Sequence, residues 1–337
     1  MMARKRISEL DTLRGIAAVS VMLYHYTTRF STKFNTDIIS KHFTFEYGQY
    51  GVELFFTISG FVIYMSVSKI NNPLEFVYKR FLRLYPTFWI SMIITFIVIS
   101  IWGPSLLKVS IKDFILNFSM IPNLFGAKSV DGVYWTLKIE LFFYTFILIL
   151  LILKWLNKVQ ILGYSYLALG LVVAISTQVY SNEFLNSIIN YYYYGLLFLC
   201  GINFYNITTH GNRLWNHLQI FTASILSIIL GLEHTIVFIT VMIIFYLLVN
   251  NKLMFLSISP FMFIGKISYA LYLIHQNIGY TIQLKMLSMQ LNNYYLLIII
   301  PIIISIIIAW IITDYIEKYL ISISSKFFLQ KLKLDKI

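Results

Sequence analysis

The amino-acid sequence predicts an all-α, polytopic membrane protein of about ten transmembrane helices, with both termini cytoplasmic. Three observations predict it. Of 337 residues, 59% are hydrophobic and only 12% charged, against roughly 45–50% and about 25% in soluble globular domains. The apolar residues gather in runs that approach or reach the about 20 helical residues needed to cross roughly 30 Å of hydrocarbon. The basic residues concentrate on one side of those runs, which the positive-inside bias makes the cytoplasmic side. One soluble core could not hide so much apolar surface, so the bilayer must solvate much of it.

Ten runs qualify: 12–28, 48–68, 84–102, 133–153, 161–180, 188–207, 216–232, 235–250, 261–284 and 293–313. The first carries Arg14 and His25 and lacks a small-residue cleavage site, so it reads as a retained span rather than a signal peptide. The pair 216–232 and 235–250 is short and separated only by Glu233-His234. A tight hairpin and a re-entrant pair both fit it. With the N-terminus inside, cytoplasmic segments hold seventeen basic residues, including Arg4, Lys5, Arg6, Lys69, Arg80, Arg83, Lys154, Lys158 and Lys266. Outer segments hold seven, and Arg14 and Lys138 fall within spans. The net charge of +12 is thereby topological, and no nucleic-acid motif or partner is expected. The lone Cys200 excludes an intramolecular disulfide and reads as a small buried hydrophobe. Residues 1–337 form one membrane domain with long outer loops at 29–47 and 103–132. The basic tail 318–337 suits the membrane surface, and Tyr191 to Tyr194 suit an aromatic belt.

Ionisable groups inside spans are expensive and point to function. Here they are Arg14 and His25 in the first span, Glu53 in the second, Lys138 and Glu140 in the fourth, and His275 in the ninth. At 1.5 Å per residue, His25 and Glu140 reach similar depths, so His25 as general base with Glu140 as its orienter is chemically sensible. Arg14, Arg80, Arg83 and Lys266 lie near the cytoplasmic boundary, where several cations suit an anionic ligand such as nucleotide phosphates. Simpler readings stay open. Arg80 and Arg83 also serve as topology determinants, Arg14 can snorkel to headgroups, and His25 can be a hydrogen-bonded packing residue. Gly48, Gly51 and Gly60 suggest close backbone approach, which ordinary small-residue packing also explains. His42, His210, His217 and His234 read as surface residues in or near loops. No cluster has metal-ligand spacing, and no metal is expected.

In order, five motifs resemble the acyltransferase-3 family of membrane O-acyltransferases. Leu10-Asp11-Thr12-Leu13-Arg14-Gly15, with His25 eleven residues after the arginine, resembles its opening signature. Gly51-Val52-Glu53-Leu54-Phe55-Phe56-Thr57-Ile58-Ser59-Gly60 resembles its second-span motif, with Glu53 where aspartate is common. Arg80-Phe81-Leu82-Arg83-Leu84-Tyr85-Pro86 resembles its Arg-x-x-Arg-x-x-Pro stretch. Tyr134-Trp135-Thr136-Leu137-Lys138-Ile139-Glu140 resembles its Tyr-Trp-Ser-Leu-x-x-Glu motif, with Thr136 for serine. Gly265-Lys266-Ile267-Ser268-Tyr269-Ala270-Leu271-Tyr272-Leu273-Ile274-His275 resembles its closing segment.

The resemblance implies transfer of an acyl group, usually acetyl, from cytoplasmic acetyl-CoA or another acyl-CoA. The acceptor it implies is a hydroxyl of a cell-surface glycan or its lipid-linked precursor, and the setting the cell membrane. Arg14, Arg80 and Arg83 would hold the coenzyme A phosphates. His25 would deprotonate the hydroxyl or carry the acyl group, and Glu140 would orient it. Tyr134 and Trp135 would stack on the sugar. Asp11, Glu53, Ser59, Lys266, Tyr272 and His275 would support the site. Self-association to a homo-oligomer is left open. A glycan or lipid transporter or flippase would also have about ten spans with buried charge, but would show paired broken helices and repeat symmetry. An idle scaffold in a polysaccharide-synthesis complex would survive loss of His25 and Arg14.

Overall fold

Among the described residues, each of the ten apolar runs is predominantly helical, as a segment in lipid must be if its backbone groups are to bond internally. The computed structural model describes residues 7–70, 72–179, 183–211 and 213–320, and no strand occurs among them. Ten principal helices follow in order: α1 Ser8–Tyr24, α2 Gly51–Val67, α3 Pro73–Ile101, α4 Trp135–Ile152, α5 Val159–Val179, α6 Glu183–His210, α7 Leu214–Leu226, α8 Leu232–Val249, α9 Ser259–Ser288 and α10 Tyr294–Ile311. Arg4, Lys5, Arg6 and most of the predicted tail, 321–337, lie outside the described residues.

Six segments are long and apolar enough to cross a membrane by length and composition; they contain α2, α3, α4, α8, α10 and much of α5. The count of ten and the orientation of the termini remain expectations. Helices α1 and α9 miss that criterion for a physical reason. The first carries Glu9, Asp11 and Arg14. The second is buried throughout 270–281, where it holds Tyr272, His275, Gln276 and Asn277. Polar spans of this kind are tolerated when they face protein instead of lipid.

The chain divides into two compact units. Unit 1 comprises Met1–Ala17, Tyr50–Phe76 and Ile139–Met262; unit 2 comprises Ala18–Gln49, Val77–Lys138 and Phe263–Ile337.

In unit 1, α2 packs along α6. The contact is backbone to backbone: a Cβ on Gly60 would collide with the Phe198 carbonyl, and one on Gly201 with the Thr57 carbonyl. Two glycines, one on each helix, allow the axes to close, as small residues do at membrane helix interfaces. Phe143 of α4 stacks on Phe198 with ring centroids 4.0 Å apart. Side-chain amides, buried on α6 and α7 and half-buried on α5, join these three helices. Asn203 donates to Gln219 at 2.9 Å, Gln219 to the Gln160 carbonyl at 2.6 Å, and Gln160 to Asn216 at 2.9 Å.

In unit 2, α1 runs into a π-helical turn, His25–Arg29, which packs against α10. The outer loop 103–132 folds on itself through Asn117. Its side chain donates to the Lys128 carbonyl at 2.9 Å and accepts from the Val130 amide at 3.0 Å. A second π-helical turn, Ile312–Glu317, follows α10.

Because neither backbone at the α2–α6 contact can yield cheaply, Gly60→Ala is expected to cost about 1–3 kcal/mol, the usual range for overpacking. Thermal denaturation in detergent, compared with an alanine placed on a lipid-facing position of α2, checks this. Equal midpoints would show that the helices separate without penalty.

Candidate active site

The site in unit 2 is built around His25, which opens the π-helical turn after α1. Such turns add a residue to a helix and recur at functional sites. The His25 ring meets the His275 ring of α9, with centroids 4.9 Å apart and planes at 74°. His25 Nδ1 lies 2.8 Å from the Val21 carbonyl and 3.2 Å from His275 Nε2. His275 Nδ1 lies 2.9 Å from the Tyr272 carbonyl and 3.2 Å from the Leu271 carbonyl.

These contacts assign the tautomers of the neutral rings. His275 Nδ1 faces two carbonyls, which only accept, so it carries the proton and Nε2 is left as an acceptor. His25 Nδ1 then faces two acceptors, Val21 O and His275 Nε2, so it too carries the proton. Nε2 of His25 is left with a free lone pair, the form a general base or nucleophile requires.

Neighbouring groups hold this pair. Tyr26 is fully buried and its hydroxyl donates to the His275 carbonyl at 2.7 Å. Having given its only proton there, it accepts from Ser305 at 2.8 Å. Gln283 donates to the Tyr26 carbonyl at 2.9 Å and to the Leu297 carbonyl at 3.0 Å.

The loop before α4 fixes α9 from another direction. Asp131 caps a short 3-10 turn by accepting from the Val133 amide at 3.1 Å. Its other oxygen accepts from the Asn277 amide at 2.9 Å. Asn277 in turn donates to the Val130 carbonyl at 2.9 Å. The Tyr272 hydroxyl donates to the Val133 carbonyl at 3.4 Å and accepts from Thr136 at 3.2 Å. Asp131 lies just outside its span, and burial pushes its carboxyl up to about 7 against the Asn277, Val133 and Gly132 amides and Lys33, which favour the ion. Lys33, over the Tyr280 ring at 5.2 Å, is drawn below its usual value by burial, with Asp131 opposing.

The other expected residues fall as follows. Arg83 donates to Glu317 at 3.2 Å, Thr87 donates to the same carboxylate at 3.0 Å, and the guanidinium lies 5.4 Å from the Tyr269 ring centroid. Lys266 pairs with Asp314 at 2.6 Å. Two of the four cations expected to meet an external anion, Arg83 and Lys266, thus already meet carboxylates from the second π-helical turn. Arg80 is half-buried on α3. Tyr134 is buried and edge-packed on Phe88 at 5.1 Å, so of the two expected stacking residues only Trp135, 40% exposed, reaches the surface.

Asp11, Arg14, Glu53, Ser59 and Glu140 belong to unit 1. There Asp11 is buried, and Arg14 and Ser59 are half-buried. Glu140 accepts from Tyr144, one turn on, at 2.7 Å. Glu53 is buried, with Oε1 3.9 Å from His234 Nδ1, and the rings of Tyr50 and Tyr193 each lie 5.4 Å from the His234 ring. His234, expected as a surface residue, is held here because it sits in the first turn of α8, which packs against α2.

Sequence reasoning missed Tyr26, Asp131, Asn277, Ser305 and Glu317. Only Asp131 carried a local signal, an Asp-Gly pair of the kind that marks a turn. The others are single polar residues whose partners lie far along the chain.

Residues 7–314 match the acyltransferase-3 family, described as an acyltransferase domain. The chain is similar to the "Peptidoglycan O-acetyltransferase OatA" of Listeria monocytogenes serovar 1/2a, 27% identical over 194 residues, which are 51% of this chain and 29% of that protein. It is similar to the "Putative acetyltransferase ORF330" of Acidianus two-tailed virus, 24% identical over 286 residues, 78% of this chain and 80% of that protein. "Nodulation protein 10" of Rhizobium leguminosarum bv. viciae is 25% identical over 158 residues, 41% and 42% of the two chains. The match thus spans under a third of the Listeria protein. No solved structure gives a significant match.

The folded Asp131 carboxyl binds its proton more tightly than the unfolded one. Its contribution to stability is complete below about pH 3.8 and is lost as pH rises through about 7. Asp131→Asn is therefore expected to flatten the decline in thermal midpoint across that window. Parallel slopes in wild type and variant would remove Asp131 as the titrating group.

Proposed function

Because the chain belongs to the acyltransferase-3 family and is an acyltransferase, we propose that it moves an acyl group, in the simplest case acetyl, from cytoplasmic acyl-CoA to a hydroxyl of a cell-surface polysaccharide or its lipid-linked precursor, at the cell membrane. The observation that carries the reading is the His25 tautomer, whose free Nε2 is fixed by His275. The name of the Listeria relative supports a glycan hydroxyl as the acceptor.

Acyl-CoA brings the thioester. His25 Nε2 takes the proton of the attacking hydroxyl, so that the oxygen bonds the acyl carbon as the carbon–sulfur bond breaks. That proton then passes to the departing thiolate, leaving ester and free thiol. While His25 holds it, the imidazolium shares its Nδ1 proton with His275 Nε2, and the Leu271 and Tyr272 carbonyls stabilise charge that moves to His275. In this reading His275 performs the orienting role that the depth argument gave to Glu140. Glu140 and Arg14 keep their parts from the motifs alone.

Arg80 and Arg83 would receive donor phosphates, a guanidinium being suited to them. For Arg83 this requires Glu317 to share or yield its place, and the Thr87 hydroxyl is a second donor at the same point. Trp135 is the exposed aromatic left to stack on an acceptor sugar.

Purified protein given radiolabelled acetyl-CoA, with and without glycan, tests the reading. His25→Ala should lower turnover roughly 10²–10⁴-fold, the span of a general base. His275→Ala should lower kcat more than it changes KM and should shift the pH profile, because the base loses its fixed tautomer. Turnover unchanged in His25→Ala would overturn the mechanism, and an unshifted profile in His275→Ala would reduce that residue to packing.

A further inference from the structure

Unit 1 contains a cavity of about 620 Å³ lined by Tyr64, Ser68, Leu151, Lys154 and Asn157 among others. That volume lies within the usual range of small-ligand sites. It sits where two spans stop together, α2 at Val67 and α4 at Ile152, and hence at the level of a bilayer surface. Its surroundings suit that level. Ile152 and Leu153 are exposed, as is Trp155, and the Lys158 ammonium lies 4.8 Å from the Trp155 ring centroid. An aromatic ring with a lysine over it is a common anchor at the headgroup layer.

The backbone of Lys154 adds an independent observation. Helix α4 ends with the Trp155 amide donating to the Leu150 carbonyl at 2.7 Å and the Lys154 amide to the Leu151 carbonyl at 3.2 Å. This closure places Lys154 in the left-handed region, at φ 56°. Glycine fills that position most cheaply, yet here it holds a lysine that lines the cavity. Neither Lys154 nor Asn157 has a side-chain hydrogen bond or ion pair among the described residues.

We propose that this cavity binds the headgroup of an anionic phospholipid, with phosphate against Lys154 and Asn157 and an acyl chain running out past Leu151. Basic pockets between spans on the cytoplasmic side recognise lipid headgroups by this chemistry. Helix C-terminal ends disfavour a bare anion, so a headgroup whose hydroxyls donate to carbonyls, such as phosphatidylglycerol, fits better than phosphate alone. A soluble phosphate compound, free coenzyme A included, offers the same charge without the chain.

Native mass spectrometry of the purified full chain, titrated with phosphatidylglycerol or phosphatidylcholine, separates these sources. The expected result is one retained phosphatidylglycerol, a higher thermal midpoint with that lipid than with phosphatidylcholine, and no displacement by free coenzyme A. Lys154→Gly preserves the left-handed backbone and should fold as wild type while retaining the lipid about five- to tenfold less. Asn157→Ala, outside the strained turn, should weaken it in the same direction. Retention equal to wild type in both variants would overturn the proposal. So would displacement by coenzyme A, which would assign the cavity to a soluble phosphate ligand.

Discussion

A polar side chain inside a membrane must find its partner in protein, because lipid offers none. Unit 2 is organised around that constraint on α9. Four of the polar side chains between Tyr272 and Gln283 of this helix are each met from another part of the unit. Tyr272 meets Val133 and Thr136, His275 meets His25, Asn277 meets Val130, and Gln283 meets Tyr26 and Leu297. Satisfying them fixes the rotation of α9 and the seating of the loop before α4. The chemically active ring is held as a consequence of the same bonds.

The two π-helical turns are where regular helix gives way to this demand. In the first, consecutive residues serve the same partner. The His25 ring meets the His275 ring, while the Tyr26 hydroxyl meets the His275 carbonyl. In the second, Asp314 and Glu317 both reach cations, Lys266 and Arg83 respectively. An inserted residue re-aims side chains without breaking a span, which is cheaper in lipid than opening the backbone.

Unit 1 answers the constraint differently. Glycines let α2 and α6 close on their backbones, and a run of amides joins α5, α6 and α7. Its own buried carboxylate, Glu53, faces a histidine from the first turn of α8. Both units thus place an imidazole beside a polar group contributed from elsewhere in the unit, but only in unit 2 do the surrounding carbonyls determine which nitrogen carries the proton.

Much of this was legible in the chain. Composition and run length were enough for an all-helical membrane protein, since no other structure satisfies its backbone in lipid. Ordered motifs pointed to an acyltransferase and singled out His25, Arg83 and His275 one by one, because an ionisable residue in an apolar run has few bland explanations. Pairing was beyond the sequence's reach. Nothing near His25 indicates that its neighbour is residue 275, that Arg83 meets Glu317, or that Asp131 grips the middle of α9. Those contacts join residues up to 250 positions apart. Helix depth, the single coordinate that sequence supplies, cannot resolve rotation about an axis or which helices adjoin. Tertiary structure decided the partners, and with them the tautomer of the reacting histidine, because a hydrogen bond depends on direction as well as on depth.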